Sequence, residues 1–512
     1  MEMTSPAAVT LAEPTISSQE RDIGLDTAAS SMEKTSIPMT KADMTFAALM
    51  IARPEPVEFE EGDEGNPRNW TISRKCIIAA FATYAASVAV IGAPIYTAAI
   101  TSIEIHFHVG TTLAIAPLSL YSYGIGFGAL LGTAACEIMG RRIVYRVTFP
   151  LALIFTIVGG SAQNFATLAV SRTLAGAFAG PSLAVGVGVM NDLWNVSLDK
   201  LGTTFSVLYA VFLIFGTQIG PMASASLLRD HSWRWTLWVL AILLGTTAIG
   251  AVIVPETYAP EIQRSRAKKS KLSVTNRGAS VNLFLASVGR PLHMLLVEPL
   301  VLPSGLVLAV TQSVVFAYYI AYALLFEEVY NFTQFQVGMT FGALVVGSIL
   351  AVPVMGIFDR LTYQKAREAA IRSGTTVLPE KRLYPAMLSV ILFPISLFWL
   401  AWSGRPHIHW VAPVLSGVLF GLAYVINMMV IPAYNNEVYA AHYGPSVMAA
   451  TTFLRFTVSS CFPLFTPQMV NKLGISWAIT LLGFIAVAMI PIPWVFFKWG
   501  PVLRSKSRYL KD

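Results

Sequence analysis

Long apolar stretches separated by short polar segments dominate the chain after about residue 70. The first six are Cys76–Ala98, Thr112–Ala134, Val144–Gln163, Phe165–Val189, Thr203–Leu227 and Trp235–Val254. Six more follow a gap, at Leu302–Leu325, Gly338–Ile357, Tyr384–Trp402, Ile408–Ile431, Val447–Val470 and Trp477–Phe497. Each approaches the ~20 residues that a helix needs to cross the ~30 Å hydrocarbon core of a bilayer. The pattern predicts an all-α membrane protein with twelve transmembrane helices in two six-helix halves.

Polar segments divide the chain further. Residues 1–70 are rich in Ser, Thr, Ala, Pro and acidic residues without apolar periodicity, which predicts a disordered cytoplasmic tail. Residues 255–299 are too many for a hairpin and too polar to cross a membrane, so we expect a cytoplasmic loop between a half at 71–254 and a half at 300–498. Residues 499–512 form a second cytoplasmic tail. No apolar segment follows a basic start, and we therefore expect no cleavable signal peptide.

Composition excludes several classes of protein. Hydrophobic residues make up 55% of the 512 positions and charged residues only 12%, about half the charged fraction of a soluble protein. A net charge of +7 would suggest a nucleic-acid partner in a soluble chain. Here the basic residues lie between apolar stretches, so we expect a lipid bilayer and no nucleic acid. The three cysteines, Cys76, Cys136 and Cys461, show no disulfide or metal-ligand spacing.

The motifs of common enzymes are missing from the sequence. It contains no phosphate-binding loop of the Gly-x-x-x-x-Gly-Lys-Ser/Thr type, and no catalytic triad or metal constellation stands out. We therefore expect no enzyme activity, no cofactor and no direct coupling to ATP.

Lys and Arg residues are distributed unevenly between the loops. They concentrate after the second, sixth and eighth stretches, whereas the alternate loops contain little more than Arg229, Arg234, Arg405 and Lys472. Positive residues stay on the cytoplasmic side, so both termini are predicted to be cytoplasmic. Of the sequons that begin at Asn69, Asn195 and Asn331, only Asn331 then lies on the lumenal side, where glycosylation can occur.

Two short loops combine an acid with arginine. Glu137 precedes Gly140, Arg141 and Arg142 after the second stretch, and Asp359 and Arg360 follow the eighth. An ion pair at such a turn can hold neighbouring helix ends together in one conformation. Recurrence at matching places predicts an internal repeat and a conformational latch in each half. The alternative is a set of positive-inside arginines beside a chance acid.

These motifs resemble those of the major facilitator superfamily, most closely its fungal drug:proton antiporters with twelve spans. The resemblance runs from about residue 66 to the C-terminus. It is carried by Asn66–Trp70, Glu137–Arg142, Arg172–Gly176, Asp192–Trp194, Pro255–Pro260, Pro379–Leu383, and Arg455 with Phe462–Phe465. The resemblance implies two halves that rock around a central site by alternating access.

The fifth stretch carries a partial antiporter motif. Gly216, Gly220 and Pro221 resemble the signature of that helix. Small residues one turn apart allow close helix packing, and proline permits a bend. Relatives usually have proline where Thr217 stands, so the direction of transport stays open. Generic glycine packing is the alternative explanation.

Polar residues inside apolar stretches are candidates for the substrate and proton pathway. Arg172 lies within the fourth stretch, where a charge is costly, so we expect it to face the interior. The resemblance implies a role in proton coupling, and snorkelling to the headgroups is the alternative. Buried amides and hydroxyls need hydrogen bonds that a wet cavity supplies; the further candidates are Gln218, Gln312, Tyr121, Tyr318, Tyr322 and Asn427.

Together these features predict proton-coupled export of a small organic molecule by a monomer in the plasma membrane. A secondary metabolite, an organic acid anion or a drug would fit. An intramembrane arginine and scarce intramembrane acids favour neutral or anionic cargo over polycations. A facilitator or importer of the same fold is the first alternative, and a membrane receptor or scaffold without transport is the second.

Overall fold

The computed structural model describes residues 59–60, 62–194, 200–269, 281–374, 377–439 and 443–510. Within them lie twelve helical spans long and apolar enough to cross a membrane: Ile72–Phe107, Thr111–Met139, Arg141–Gly160, Phe165–Leu193, Leu201–Leu228, Arg234–Ile253, Val301–Tyr330, Gln334–Ala370, Pro379–Ser403, Val411–Tyr439, Gly444–Leu473 and Ile475–Ser505. We number them as spans 1 to 12. The described residues contain no strand. The predicted all-α fold with twelve spans is confirmed.

Several spans are longer than their apolar stretches predict, because helical structure continues into the polar ends. Span 1 has 36 residues and span 8 has 37, whereas ~20 suffice to cross the bilayer core. That core offers no water to the backbone, so its amide and carbonyl groups must find partners within the protein. A break in a span therefore needs a compensating group.

Span 1 shows such a break. Its first helix, Ile72–Ile91, ends before Pro94, which has no backbone N–H and disfavours the preceding helical turn. The N–H of Tyr96 bonds to Ala93. The carbonyl of Gly92 instead accepts a hydrogen bond from the guanidinium of Arg172, so a buried charge in span 4 satisfies the broken backbone of span 1.

Close glycine contacts repeat in the two halves. A Cβ added to Gly128 of span 2 would lie 2.0 Å from the carbonyl oxygen of Ala177 in span 4. A Cβ added to Gly347 of span 8 would likewise lie 2.0 Å from the carbonyl oxygen of Val418 in span 10. Only glycine permits so close an approach of the backbones. Spans 2 and 4 therefore pack as spans 8 and 10 do, which agrees with two repeated halves.

One face of the bundle carries both described ends and the linker between the halves, and we call it the basic face. The linker contains two helices, Ala259–Lys269 and Val281–Val297, where the sequence suggested only a loop. Near the N-terminal end, Asp63 forms an ion pair with Arg266, and hydrogen bonding from that guanidinium lowers the pKa of the carboxyl. The tail predicted to be disordered falls, for residues 1–58, outside the described residues.

Candidate substrate cavity and its charged networks

A cavity lies between the two halves and extends to the basic face. It encloses about 1360 Å³ of empty space, including its open mouth. Its walls come mainly from spans 4 and 5 of the first half and from spans 10 and 11 of the second. Because both halves contribute, rocking of one half against the other would change the shape and the access of the cavity.

The cavity wall is largely apolar and rich in methionine. Its methionines come from four spans and are Met190, Met355, Met428, Met429 and Met448. Methionine side chains are flexible and polarizable, so they adapt to apolar ligands of different shapes. The charged side chains of the wall are Arg382, Glu437 and Arg455. Such a lining suits a mainly apolar molecule with a small number of polar groups.

Arg382 and Glu437 neutralise each other at the mouth of the cavity. Their side chains form an ion pair, and the hydroxyl of Tyr363 donates a 2.7 Å hydrogen bond to Glu437. The guanidinium of Arg382 also lies 4.1 Å from the centre of the Tyr363 ring. This contact ties the start of span 9 to the end of span 10.

Several residues predicted for the substrate pathway lie beyond the blind end of the cavity. Leu308 lines the cavity, and Gln312 lies one turn further along span 7, where its Oε1 accepts a 3.0 Å hydrogen bond from Tyr424. Gln218 of span 5 accepts a 2.5 Å bond from Ser348 of span 8, which joins the halves. The Nε2 atoms of both glutamines are buried without a partner. Gln218 and Gln312 are therefore buried near the inner end of the cavity, and their predicted role in binding stays a prediction.

The remaining candidates of the second half are buried in its core. Asn427 accepts a 2.6 Å hydrogen bond from Ser389. The ring of Tyr318 stacks on Phe420 at 4.0 Å and on Tyr322 at 4.9 Å between centres. None of Asn427, Tyr318 and Tyr322 lines the cavity in this conformation, and their predicted role in binding stays a prediction.

Arg172 lies within the first half and does not line the cavity. It is 1% exposed. Its guanidinium bonds to the carbonyl of Gly92 and lies 4.1 Å from the ring centre of Tyr121 and 5.4 Å from that of Tyr96. The hydroxyl of Tyr121 in turn donates to Ala89. Arg172 therefore lies in the protein interior, as predicted, but its side chain contacts span 1 and does not face the cavity.

The loop after span 2 forms a network with partners distant in sequence. Gly140 has φ +84°, a value that favours glycine, and it lets span 3 begin directly after the turn. The carboxylate of Glu256 accepts hydrogen bonds of 2.9 and 3.0 Å from the backbone N–H groups of Arg141 and Arg142. A carboxylate at the N-terminus of span 3 is also stabilised by the helix dipole.

The ion pair predicted within this loop is replaced by two others. Arg141 pairs with Asp192 at the end of span 4, at 3.3 Å. Glu137 accepts a 2.8 Å hydrogen bond from Ser287 and pairs with Arg290 at 3.5 Å. Glu137 and Arg141 therefore do not close the loop on itself. They connect span 2 to the linker helix and span 3 to span 4.

The second half has a matching pair at a different place from the predicted one. Asp359 accepts from Gln364 at 2.7 Å and forms no ion pair with Arg360 in the structure. The counterpart of Arg141 and Asp192 is the pair of Arg382 and Glu437, which likewise joins the start of an odd-numbered span to the end of the next. The repeat exists, but of the four residues in these two ion pairs the loop motif indicated only Arg141.

The face of the bundle away from the basic face, which we call the opposite face, is closed by contacts between the halves. The side chain of Gln334 in span 8 donates to the carbonyl of Ala98 in span 1. A Cβ added to Gly338 would lie only 2.2 Å from the Cβ of Ala225 in span 5. A smaller cavity of about 750 Å³ remains on this side, and Pro221 forms part of its wall.

The glycines of the predicted antiporter motif pack against span 1. A Cβ added to Gly216 would lie 2.9 Å from the carbonyl oxygen of Ser87, and one added to Gly220 would lie 2.7 Å from Pro94. Both glycines therefore face the first helix of span 1 or its break. They permit close packing inside the first half and do not line either cavity.

A model of the Major Facilitator Superfamily matches residues 76–463. The chain belongs to this superfamily. It is 32% identical over 478 residues to polyamine transporter 4 of Saccharomyces cerevisiae, covering 87% of this chain and 72% of the relative. It is 31% identical to the multidrug transporter mdrA of Aspergillus fumigatus (89% and 76% covered) and 28% identical to a probable drug/proton antiporter of S. cerevisiae, YHK8 (87% of each). The predicted fungal drug:proton antiporter branch is confirmed, and the chain is a membrane transporter.

A solved structure of a human transporter has the same fold. The human organic anion transporter MFSD10 (TETRAN) aligns with a TM-score of 0.53 and 13% identity, over 83% of this chain and all of that one. At this identity the likeness concerns the fold alone. In this transporter, therefore, the chemistry of the cavity must be read from its own residues.

Sequence reasoning missed Arg455 as a residue of this transporter's cavity. It was noticed only as part of a family motif, although the signal that marked Arg172, a lone arginine inside an apolar stretch, applies equally to Arg455 in Val447–Val470. Glu437 and Arg382 were also missed as cavity residues, because each lies outside the apolar stretches and resembles an ordinary loop charge.

Proposed function

We propose that this transporter exports a small organic molecule from the cytoplasm in exchange for protons. The observation that carries the proposal is the cavity between the halves, which reaches the basic face while Gln334 and Gly338 close the opposite face. A substrate that enters from the basic face would be released on the other side when the halves rock. Relatives named as a multidrug transporter and a probable drug/proton antiporter support the same direction.

In this proposal the basic face lies in the cytoplasm, and both termini are cytoplasmic. The transporter works as a monomer in the plasma membrane. Arginine and lysine residues on this face support the orientation. Asn331 begins the sequon on the opposite side, directly after span 7. Protease protection of epitope tags at the two termini, measured in right-side-out vesicles, would test this topology.

Protonation of two carboxylates would couple the pH gradient to the movement. Asp192 and Glu437 hold Arg141 and Arg382 at the basic face. A carboxyl that gains a proton loses its ion pair, so the helix ends that it joins could separate. In this scheme Glu137, Gly140, Arg141 and Arg142 belong to the latch of the first half. Asp359 and Arg360 would contribute to that of the second.

Buried polar residues would complete the pathway between the two faces. The substrate would contact these residues after the halves rock, because they lie beyond the inner end of the cavity. They are Gln218, Gln312, Asn427, Tyr318 and Tyr322. Arg172 and Tyr121 would hold the break of span 1 in place. Arg172 would also take part in proton coupling, as the family resemblance implies. Pro221, together with Gly216 and Gly220, would let span 5 bend and follow this movement.

Import or facilitated diffusion is the second candidate function. Thr217 stands where antiporters of this branch usually have proline, which weakens the assignment of direction. One relative is named a polyamine transporter and another a multidrug transporter, so names alone do not fix the cargo of this chain. An importer would use the same cavity as the site of release.

Transport by inside-out vesicles with an acidic interior tests the proposal. These vesicles expose the basic face, so an exporter accumulates a fluorescent drug or a labelled organic acid against its gradient. A protonophore should abolish the accumulation. Equal rates with and without the pH gradient, and movement only down the substrate gradient, would identify a facilitator instead.

A further inference from the structure

Arg455 is a buried cation that has no anionic partner in the part of the chain that the structure describes. It lies on the helix Gly444–Ser459 of span 11, about 16 Å from Gly444 at ~1.5 Å per residue, and is 9% exposed. Its side chain lines the cavity between the halves. Among the described residues, no carboxylate forms an ion pair with it. The sulfur of Met428 accepts its one hydrogen bond, at 3.4 Å, and its Nε is buried without a partner.

Another buried arginine of the bundle, Arg172, has a stronger acceptor than Arg455 has. Its guanidinium bonds to the backbone carbonyl of Gly92 and lies near the rings of Tyr96 and Tyr121, although its Nε and Nη1 are also buried without a partner. A thioether is only a weak acceptor, and the ring of Phe456, 4.7 Å from the guanidinium of Arg455, offers no oxygen. A buried charge is normally paired or hydrogen-bonded. Among the described residues Arg455 has no oxygen acceptor, and a ligand in the cavity would supply one.

The cavity as a whole is therefore positive. Arg382 and Glu437 cancel each other in their ion pair, so the guanidinium of Arg455 is the charge that remains on the wall. Around it the wall is formed by apolar side chains, among them Leu183, Leu213 and Met448. A guanidinium in a low-dielectric site favours carboxylates, which it can bind with two parallel hydrogen bonds.

We propose that Arg455 binds the anionic group of the substrate, and that the substrate is an amphipathic organic carboxylate with an apolar body. This inference rests on the proposed function in one respect only, namely that the cavity is the substrate site. The apolar body would contact the methionines of the wall, and the carboxylate would supply the acceptor that Arg455 lacks. A polycation would face an uncompensated positive charge at this position.

Binding of three matched probes to the purified transporter in lipid nanodiscs tests this assignment. 1-Naphthoate, 1-naphthamide and 1-naphthylmethylammonium share one ring system and differ in charge. Their dissociation constants would be obtained from the quenching of tryptophan fluorescence, in buffer without chloride. We expect naphthoate to bind at least about tenfold more tightly than the amide, which equals about 1.4 kcal/mol, and the ammonium probe to bind most weakly.

Variants of Arg455 separate charge from shape. Arg455→Met keeps much of the volume and should abolish the preference for naphthoate while leaving the affinity for the amide unchanged. Arg455→Lys keeps the charge but loses the bidentate geometry, so part of the preference should remain. Arg74→Met is the matched control, because it removes an exposed arginine outside the cavity. The Met variant should also melt no lower than wild type, since removal of an unpaired buried charge costs no ion pair.

Three results would overturn the inference. The first is wild-type protein that binds naphthoate no more tightly than the amide. The second is a Met variant that retains the preference. The third is chloride that stabilises the protein through Arg455 as strongly as naphthoate does, because the residue would then hold an inorganic ion. Binding is measured without a gradient, so a failure of proton-driven export in vesicles leaves these results interpretable.

Discussion

A single methyl group at Gly338 should open the contact that closes the opposite face. Its added Cβ would lie 2.2 Å from the Cβ of Ala225, whereas carbon atoms in contact are ~3.5–4.0 Å apart. The halves would have to separate by roughly 1.5 Å there, and such overpacking typically costs about 1–3 kcal/mol. Because the contact exists only while this face is closed, the cost should shift the equilibrium about 5- to 150-fold toward the state that opens there.

The shift can be measured by cysteine labelling. A reporter cysteine at Thr452, on the cavity wall, is placed in a chain whose native cysteines are replaced by alanine. A membrane-impermeant maleimide added on the basic face should label it more slowly in Gly338→Ala. Gly342→Ala is the matched control on the same span, because a Cβ there meets nothing within 4 Å.

A compensating substitution makes the reasoning refutable. Ala225→Gly combined with Gly338→Ala returns one methyl group to the contact, and the nearest remaining atom, the Cα of Ala225, lies at 3.6 Å. The double variant should label at close to the wild-type rate. If Gly338→Ala labels as fast as the Gly342 control, or if the double variant does not recover, the contact does not control access to the cavity.

Three further predictions concern the charged networks. Glu137→Gln should lower the turnover of export by several-fold at unchanged surface abundance, because a neutral amide holds the linker helix less strongly; unchanged turnover would leave the loop a topology signal. Arg172→Lys should retain more export than Arg172→Ala, because it keeps the charge near Gly92, and equal activities would remove this arginine from the mechanism. Burial lowers the pKa of His293, whose Nδ1 lies 2.7 Å from the hydroxyl of Tyr509, so the contribution of the neutral ring is present above the ordinary pKa of 6.5 and is lost as pH falls below it. Hydrogen exchange of residues 507–510 should accordingly rise between pH 7.5 and 5.5 in wild type and vary less in His293→Gln.

The membrane spans were predictable because hydrophobicity is a local property. In lipid a helix must form its backbone hydrogen bonds within itself, so each apolar stretch can be recognised as a span without reference to the others. Glycine contacts such as that of Gly128 with Ala177 are less visible, since the same residue type also marks turns. The sequence located the halves for this reason, yet it did not show which glycines join them.

Charge partners were not predictable because they are set by the packing of distant segments. Glu137 meets Arg290, 153 residues later, and Arg382 meets Glu437, 55 residues later. A motif suggests that residues close in sequence interact, which is why Asp359 and Arg360 were expected to pair. The partners of buried arginines were not predictable either. Arg172 and Arg455 both lie inside apolar stretches, and only the structure shows that Arg172 donates to the carbonyl of Gly92.

A reversible link across the opposite face tests alternating access most directly. Gln334 donates to the carbonyl of Ala98, so Ala98→Cys and Gln334→Cys in a chain without native cysteines can be joined by a short bifunctional thiosulfonate. The account predicts that the linked protein still binds its substrate from the basic face but exports none, and that a reducing agent restores export. Export at the unlinked rate while the link is intact would contradict it.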